Sequence, residues 1–127
     1  MHARSIFTLV ALLVSALAAV AARAEFRAGA AVVDVTPTVL PVLVNGSMVS
    51  RSVDKVNTRV HARAVVFADA RAQLAIVVVD SCMMGRPLLD EAKSLAAVRT
   101  GMAPHRMLIS ATHAHSVPSA LACLGTE

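Results

Sequence analysis

Short apolar runs separated by polar and turn-forming residues mark the chain after its first 24 residues. Residues 30–36 and 61–69 are rich in β-branched and apolar side chains, which predicts two strands. Residues 74–79 are almost purely branched aliphatic, and such a run is typical of a strand buried on both faces. The turn-forming segment 69–72 predicts that the last two strands form a hairpin. Residues 43–57 show neither period and are predicted to be a long loop.

A helix is predicted over residues 87–100, because Pro87 suits a first helical turn and Gly101 suits a left-handed cap at the end. Residues 107–111 predict a further short strand. Together with 74–79 they flank the helix in a β-α-β unit, whose two strands should be parallel. The predicted fold class is therefore α/β, with a mixed sheet in which a β-hairpin precedes a β-α-β unit. The predicted inner face of the helix consists of Leu88, Ala92, Leu95 and Ala96.

Residues 1–24 are predicted to be a secretory signal peptide. A basic start with Arg4 leads into the apolar run 6–22, and Ala22-Arg23-Ala24 fits the small-x-small pattern that signal peptidase cleaves. A membrane anchor is the alternative, but the run is short for a spanning helix, and no later segment resembles a membrane span. We therefore expect cleavage before Glu25, no transmembrane segment afterwards, and a secreted or periplasmic location.

The charge and the cysteine content bear on two questions: whether the protein binds nucleic acid and whether it forms a disulfide. The formal net charge of +4 falls to +2 without Arg4 and Arg23, and the remaining basic residues are scattered in a chain without Trp or Tyr. This argues against nucleic acid as a partner, since clustered cations and aromatic platforms are missing. In an oxidising compartment Cys82 and Cys123 could form a disulfide, with two free thiols as the alternative.

His113 and His115 are the most distinctive residues of the sequence. They directly follow the predicted strand 107–111, and in an extended chain two residues at this spacing point to the same side, roughly 7 Å apart at their Cα atoms. Neutral imidazole is a common zinc ligand. The alternative is a pair of loop histidines bonded to water or backbone.

A catalytic zinc needs three protein ligands and a position for water, so two histidines are not enough. Asp80 ends the predicted parallel partner strand, and it is the best-placed residue to act as a third ligand or as a carboxylate behind the ligands. Capping of the following turn is its alternative role. The other available donors are His61, His105, Cys82 and Cys123.

The string I-S-A-T-H-A-H-S-V-P at residues 109–118 closely resembles the S-A-T-H-T-H-S-G-P-G-G signature of the neutral/alkaline, non-lysosomal ceramidase family. Segments 26–37, 60–64 and 75–80 resemble further family strands in the same order, so the resemblance covers the whole chain after the predicted signal. It implies a secreted zinc amidase that hydrolyses the N-acyl bond of ceramide, or of a related lipid amide, through metal-bound water.

Carried over by position, the resemblance implies that His113 is a ligand of Zn2+ and that His115 is a catalytic residue that holds or polarises the substrate amide. The family's further ligands, a His, a Glu and a Tyr, lie later in a longer chain. We therefore expect residues 25–127 to be the N-terminal part of a truncated ceramidase-like catalytic domain that is inactive as it stands. Residues 117–120 replace the family's Gly-Pro-Gly-Gly, so another lipid amide or an ester stays open as substrate.

Two other functions remain compatible with the sequence. One is a self-contained periplasmic metal-binding protein that uses His113, His115 and either Asp80 or a third histidine. The other is an inert exported α/β module. Metal uptake by the chain separates the three.

Overall fold

The computed structural model of the protein describes residues 25–44, 46 and 48–121. The predicted signal peptide and Cys123 lie outside the described residues, and so does the choice between a Cys82–Cys123 disulfide and two free thiols. In chain order the described elements are β1 (Arg27–Asp34), β2 (Val42–Val44), β3 (Arg51–Val53), β4 (His61–Ala68), β5 (Gln73–Val79), α1 (Arg86–Thr100), a 3₁₀ helix (Pro104–Arg106) and β6 (Met107–Ala111).

The main sheet has the order β1-β4-β5-β6. β4 pairs antiparallel with β1 and with β5, whereas β5 and β6 are parallel and are connected through α1. This confirms the predicted α/β class, with a mixed sheet, a hairpin and a following β-α-β unit. Between β4 and β5 the carboxylate of Asp69 accepts hydrogen bonds from the backbone N–H groups of Arg71 and Ala72 at 2.7 and 2.8 Å, which close the turn.

Helix α1 covers one face of this sheet. It has a proline in its first turn, and it ends at Gly101, whose φ of 72° is left-handed and whose N–H bonds the carbonyl of Ala97 at 2.8 Å. The predicted inner face is correct for Ala96, which packs against the core, and wrong for Leu88 and Leu95, which are exposed. The core consists of Ala75, Met102 and Met107, against which Val66, Ala96 and Ala97 pack.

The prediction that β5 is buried on both faces is wrong. Residues that pair directly across strands share a face, so Val32, Leu74 and Leu108 all lie on the side away from α1. Their exposures are 63%, 44% and 55%. No described element covers this side, so β5 is packed on the face towards α1 and open on the other.

The predicted loop over residues 43–57 contains a small hairpin. Val42 pairs with Val53 and Val44 pairs with Arg51. Three-residue strands are too short to show an alternating period, which is why the sequence did not reveal them. Within the described part of the chain, no helix combines the length and the apolarity needed to cross a bilayer.

Candidate metal centre

Two loops meet at the carboxyl ends of the parallel strands, one after β5 and one after β6. Their backbones are joined by hydrogen bonds from the Cys82 N–H to the Pro118 carbonyl at 3.1 Å and from the Ala120 N–H to the Met83 carbonyl at 2.8 Å. Groups at this end of a parallel sheet converge because the strands run in the same direction. The residues that follow β5 and those that follow β6 therefore lie next to each other.

Two buried serines hold these loops together. The Ser81 hydroxyl lies within hydrogen-bonding distance of the carbonyl oxygens of Met83 at 2.9 Å and Pro118 at 3.2 Å. The Ser119 hydroxyl donates to the Met83 carbonyl at 3.2 Å. Buried hydroxyl groups with partners stabilise a defined loop geometry, so the side chains carried by these loops are held on a rigid support.

The donor atoms of Cys82, His113 and His115 all lie within 4.8 Å of one another. The Cys82 side chain is buried, with 2% exposure, whereas both histidines are exposed. The imidazole centroids are 4.9 Å apart, with their planes at 73°. The arrangement is a buried sulfur below two accessible nitrogens.

The two imidazoles meet by a different route from the extended backbone that their spacing predicts. β6 ends at Ala111, and His113 has a φ of 57°, in the left-handed region. This conformation is uncommon for a residue with a Cβ atom, although histidine is among the residues that adopt it more often. The turn at His113 brings its ring towards the loop that follows β5.

A hydrogen bond to the backbone fixes the tautomer of His113. Its Nδ1 lies 2.8 Å from the carbonyl oxygen of Cys82. Because a carbonyl oxygen can only accept, Nδ1 must carry the hydrogen, which leaves the lone pair of Nε2 available. Metal-binding histidines are generally oriented in this way by a partner on the other nitrogen.

These three residues can hold a metal ion. Zinc bonds are about 2.0–2.1 Å to imidazole nitrogen and about 2.3 Å to thiolate sulfur, so donors within 4.8 Å of one another need only small side-chain rotations to meet a single ion. Thiolate and imidazole suit zinc and soft cations better than calcium or magnesium. Three ligands would leave a fourth position open.

Asp80 does not belong to this group. Its carboxylate accepts hydrogen bonds from the Arg63 guanidinium at 2.8 Å and from the His61 backbone N–H at 2.9 Å. These two bonds, the Arg63 one first, lower the pKa of Asp80 below its ordinary value of 3.8. The third donor is Cys82 instead, which the sequence placed at the same strand end but did not favour. His61 and His105 also lie outside the group.

Gly46, in the connection between β2 and β3, presses against His115. A methyl group at this position would lie 2.7 Å from the His115 carbonyl oxygen and closer still to its Cα atom. Only a residue without a Cβ atom allows this approach. The small hairpin therefore buttresses the loop that carries His115.

A cleft of about 560 Å³ borders the metal centre. One wall is the face of the small hairpin that carries the pairs Val42–Val53 and Val44–Arg51, two of its three cross-strand pairs. The opposite wall includes Asp80 and the residues on either side of His115, although the imidazoles themselves do not line it. The residues that line the cleft include Val42, Val44, Arg51, Val53, Lys55, Val56, Arg59, Val60, Asp80, Ala114, Ser116, Val117 and Pro118.

No family model matches the chain, and no curated protein or solved structure matches it. The geometry of the site therefore carries the functional argument.

Proposed function

We propose that the protein carries the zinc site of an exported amidase that resembles neutral ceramidases and cleaves the N-acyl bond of a lipid amide. The observation that supports this proposal is the grouping of Cys82, His113 and His115 at the ends of two parallel strands, beside a cleft. A metal donor group next to a cleft with apolar walls suits a substrate that has a polar reactive bond and an apolar chain.

The protein's own residues have distinct roles in this proposal. Cys82 would contribute the sulfur ligand, and its carbonyl engages Nδ1 of His113, which leaves Nε2 as the nitrogen that would bind the ion. Zinc, when bound, supplies a Lewis acid for the amide carbonyl and lowers the pKa of water to about 7. The walls of the cleft hold the acyl chain and keep the reactive carbonyl near this end.

His115 has two alternative roles in this proposal. As a third ligand it completes the set that a catalytic zinc needs. As the catalytic residue that the family resemblance implies, it instead contacts the substrate amide. The His115→Ala variant separates the two roles: loss of bound zinc identifies a ligand, and retained zinc with weakened binding of an amide analogue identifies a substrate contact.

A self-contained metal-binding protein is the second candidate, and one observation favours it. Three suitable donors come from this chain alone, with Cys82 in addition to the two histidines. In this case the neighbouring cleft would play no part in the function of the metal site.

Acyl hydroxamates distinguish the two candidates, since they bind zinc through a group that resembles the amide. The amidase proposal predicts that decanoyl hydroxamate binds the zinc-loaded protein at least tenfold more tightly than acetohydroxamate, because its chain occupies the cleft. Calorimetry on zinc-loaded and metal-free protein measures this. Equal affinities for the two hydroxamates would contradict the amidase proposal and favour simple metal binding.

A further inference from the structure

Four charged side chains line the cleft, and two of them already have partners. Arg59 pairs with Asp34 at 2.5 Å, and Asp80 pairs with Arg63 at 2.8 Å. Each of these pairs is neutral overall. The charge that the cleft offers to a ligand therefore depends on the remaining two residues.

The remaining two, Arg51 and Lys55, are both cations. Neither forms an ion pair with any residue that the structure describes. An exposed cation at the edge of an apolar cleft favours a ligand with a negative charge, and opposite charge in a concave site attracts it further. A neutral lipid amide would make no use of this feature.

The strand pairing in the small hairpin places Arg51 and Lys55 at different ends of the cleft. Arg51 lies directly opposite Val44, and the connection after Val44 contains Gly46, which presses against His115. Arg51 is thus at the histidine end of the cleft. Lys55 follows the other end of the hairpin, two residues beyond β3.

Six valines line the cleft, together with polar residues such as Asn57 and Ser116. Their branched side chains give the cleft an apolar wall, and its volume of about 560 Å³ falls in the usual range for a small-molecule site. An acyl chain is the ligand part that such a wall accommodates. The branched side chains are Val42, Val44, Val53, Val56, Val60 and Val117.

We propose that the cleft selects N-acyl amino acids, with the acyl chain against the valines and the carboxylate bound by Arg51 next to the reactive amide. Guanidinium matches a carboxylate with two parallel hydrogen bonds. The carboxylate of an N-acyl amino acid is separated from its amide nitrogen by a single carbon, which suits an anion site at the histidine end. The inference rests on the proposed function for the identity of the bond that is cleaved.

Binding of two matched probes tests this specificity. N-decanoylglycine and N-decanoylethanolamine share the acyl chain and the amide, and only the first is charged. Calorimetry on the purified protein, metal-free and zinc-loaded, should show at least a tenfold preference for N-decanoylglycine below micellar concentrations. Added salt should reduce the preference, since the contact is electrostatic and partly exposed.

Variants assign the preference to Arg51. Arg51→Gln should abolish it and Arg51→Lys should retain part of it, while Arg71→Gln, an equal loss of charge in the exposed turn between β4 and β5, should leave it unchanged. Equal binding of the two probes by the unaltered protein would overturn the proposal, as would a preference that survives Arg51→Gln.

Zinc content, measured on the same samples, keeps this inference separate from the proposed function. If the protein takes up no zinc yet prefers N-decanoylglycine through Arg51, the proposed metal centre is refuted and the proposed specificity of the cleft is supported. If the protein takes up zinc and binds both probes equally, only the proposed specificity of the cleft is refuted.

Discussion

At the residue scale, His113 combines an uncommon backbone conformation with a fixed ring orientation. A left-handed φ of 57° costs of the order of 1–3 kcal/mol for a residue that has a side chain. The hydrogen bond from its Nδ1 to the Cys82 carbonyl, at 2.8 Å, offsets part of this cost. Such conformations persist where the surrounding structure enforces them, and here they place an imidazole beside a buried sulfur.

Gly46 offers a direct test of how the small hairpin supports this site. Gly46→Ala should weaken zinc binding at least tenfold, about 1.4 kcal/mol, because the added methyl group would push the His115 backbone away. Zinc competition with a chelating dye measures the change. Gly29→Ala is the matched control, since a Cβ atom at Gly29 meets nothing within 4 Å. Equal zinc affinities in the two variants would contradict the contact.

The sequence predicted some of these residues and not others, for a physical reason. The sequence predicted that the rings of His113 and His115 lie together, but on an extended backbone, whereas the left-handed turn at His113 is what brings them together. The choice between Asp80 and Cys82 depended on tertiary contacts, because both follow β5 and only the fold brings Arg63 to the Asp80 carboxylate. Spacing along the chain carries no information about that competition.

At the element scale, a polar clamp joins the end of β1 to the segment before β4. The Asp34 carboxylate accepts hydrogen bonds from Thr36 at 2.9 Å and from Arg59 at 2.5 Å. Thr36 in turn accepts from the Val60 backbone N–H at 3.0 Å. The bonds to Thr36, followed by the one to Arg59, lower the pKa of Asp34 from 3.8 to about 2.

This clamp should make stability depend on acid pH. A carboxyl with a lower pKa in the folded chain stabilises the fold fully above its ordinary value of 3.8, and the stabilisation is lost as the pH falls towards 2. Urea unfolding between pH 5 and pH 2 should therefore show a shallower acid decline for Asp34→Asn than for the unaltered protein. Glu91→Gln, on the exposed side of α1, is the control. An unchanged decline in Asp34→Asn would refute the clamp.

The end of α1 depends on one glycine. Gly101 adopts a φ of 72° with open space around its Cα atom, so a side chain there meets backbone strain rather than neighbouring atoms. Gly101→Ala should lower the free energy of unfolding by about 1–2 kcal/mol. Gly101→Asn should cost less, because asparagine tolerates this conformation better. Denaturant titration measures both, and an alanine variant as stable as the original would contradict the capping role.

The position of α1 could be predicted from the sequence more readily than its orientation. Pro87 and Gly101 marked its ends to within one residue. Its inner face was predicted only in part, because apolar residues occur on both sides of the helix: Ala96 packs against the core, whereas Leu88 and Leu95 are exposed. A period identifies an amphipathic face only when the opposite face is polar.

At the scale of the whole molecule, the described residues form one packed layer and leave another face open. Helix α1 covers the sheet on one side only, and all eight residues of the edge strand β1 are exposed. Exposed β-branched residues on a sheet edge favour association with further chain or partner surface. The metal centre does not depend on this open face, since its residues lie at the strand ends.

Metal uptake shows most directly whether Cys82, His113 and His115 form one metal site. Titration of the purified protein with Co2+ should show one ion per chain and a thiolate-to-cobalt charge-transfer absorption, and Zn2+ should displace it. Cys82→Ser should remove the absorption, and His113→Ala should abolish uptake. His105→Ala, in the 3₁₀ helix outside the group, should change neither. Absence of cobalt binding, or uptake unaltered by His113→Ala, would contradict the account.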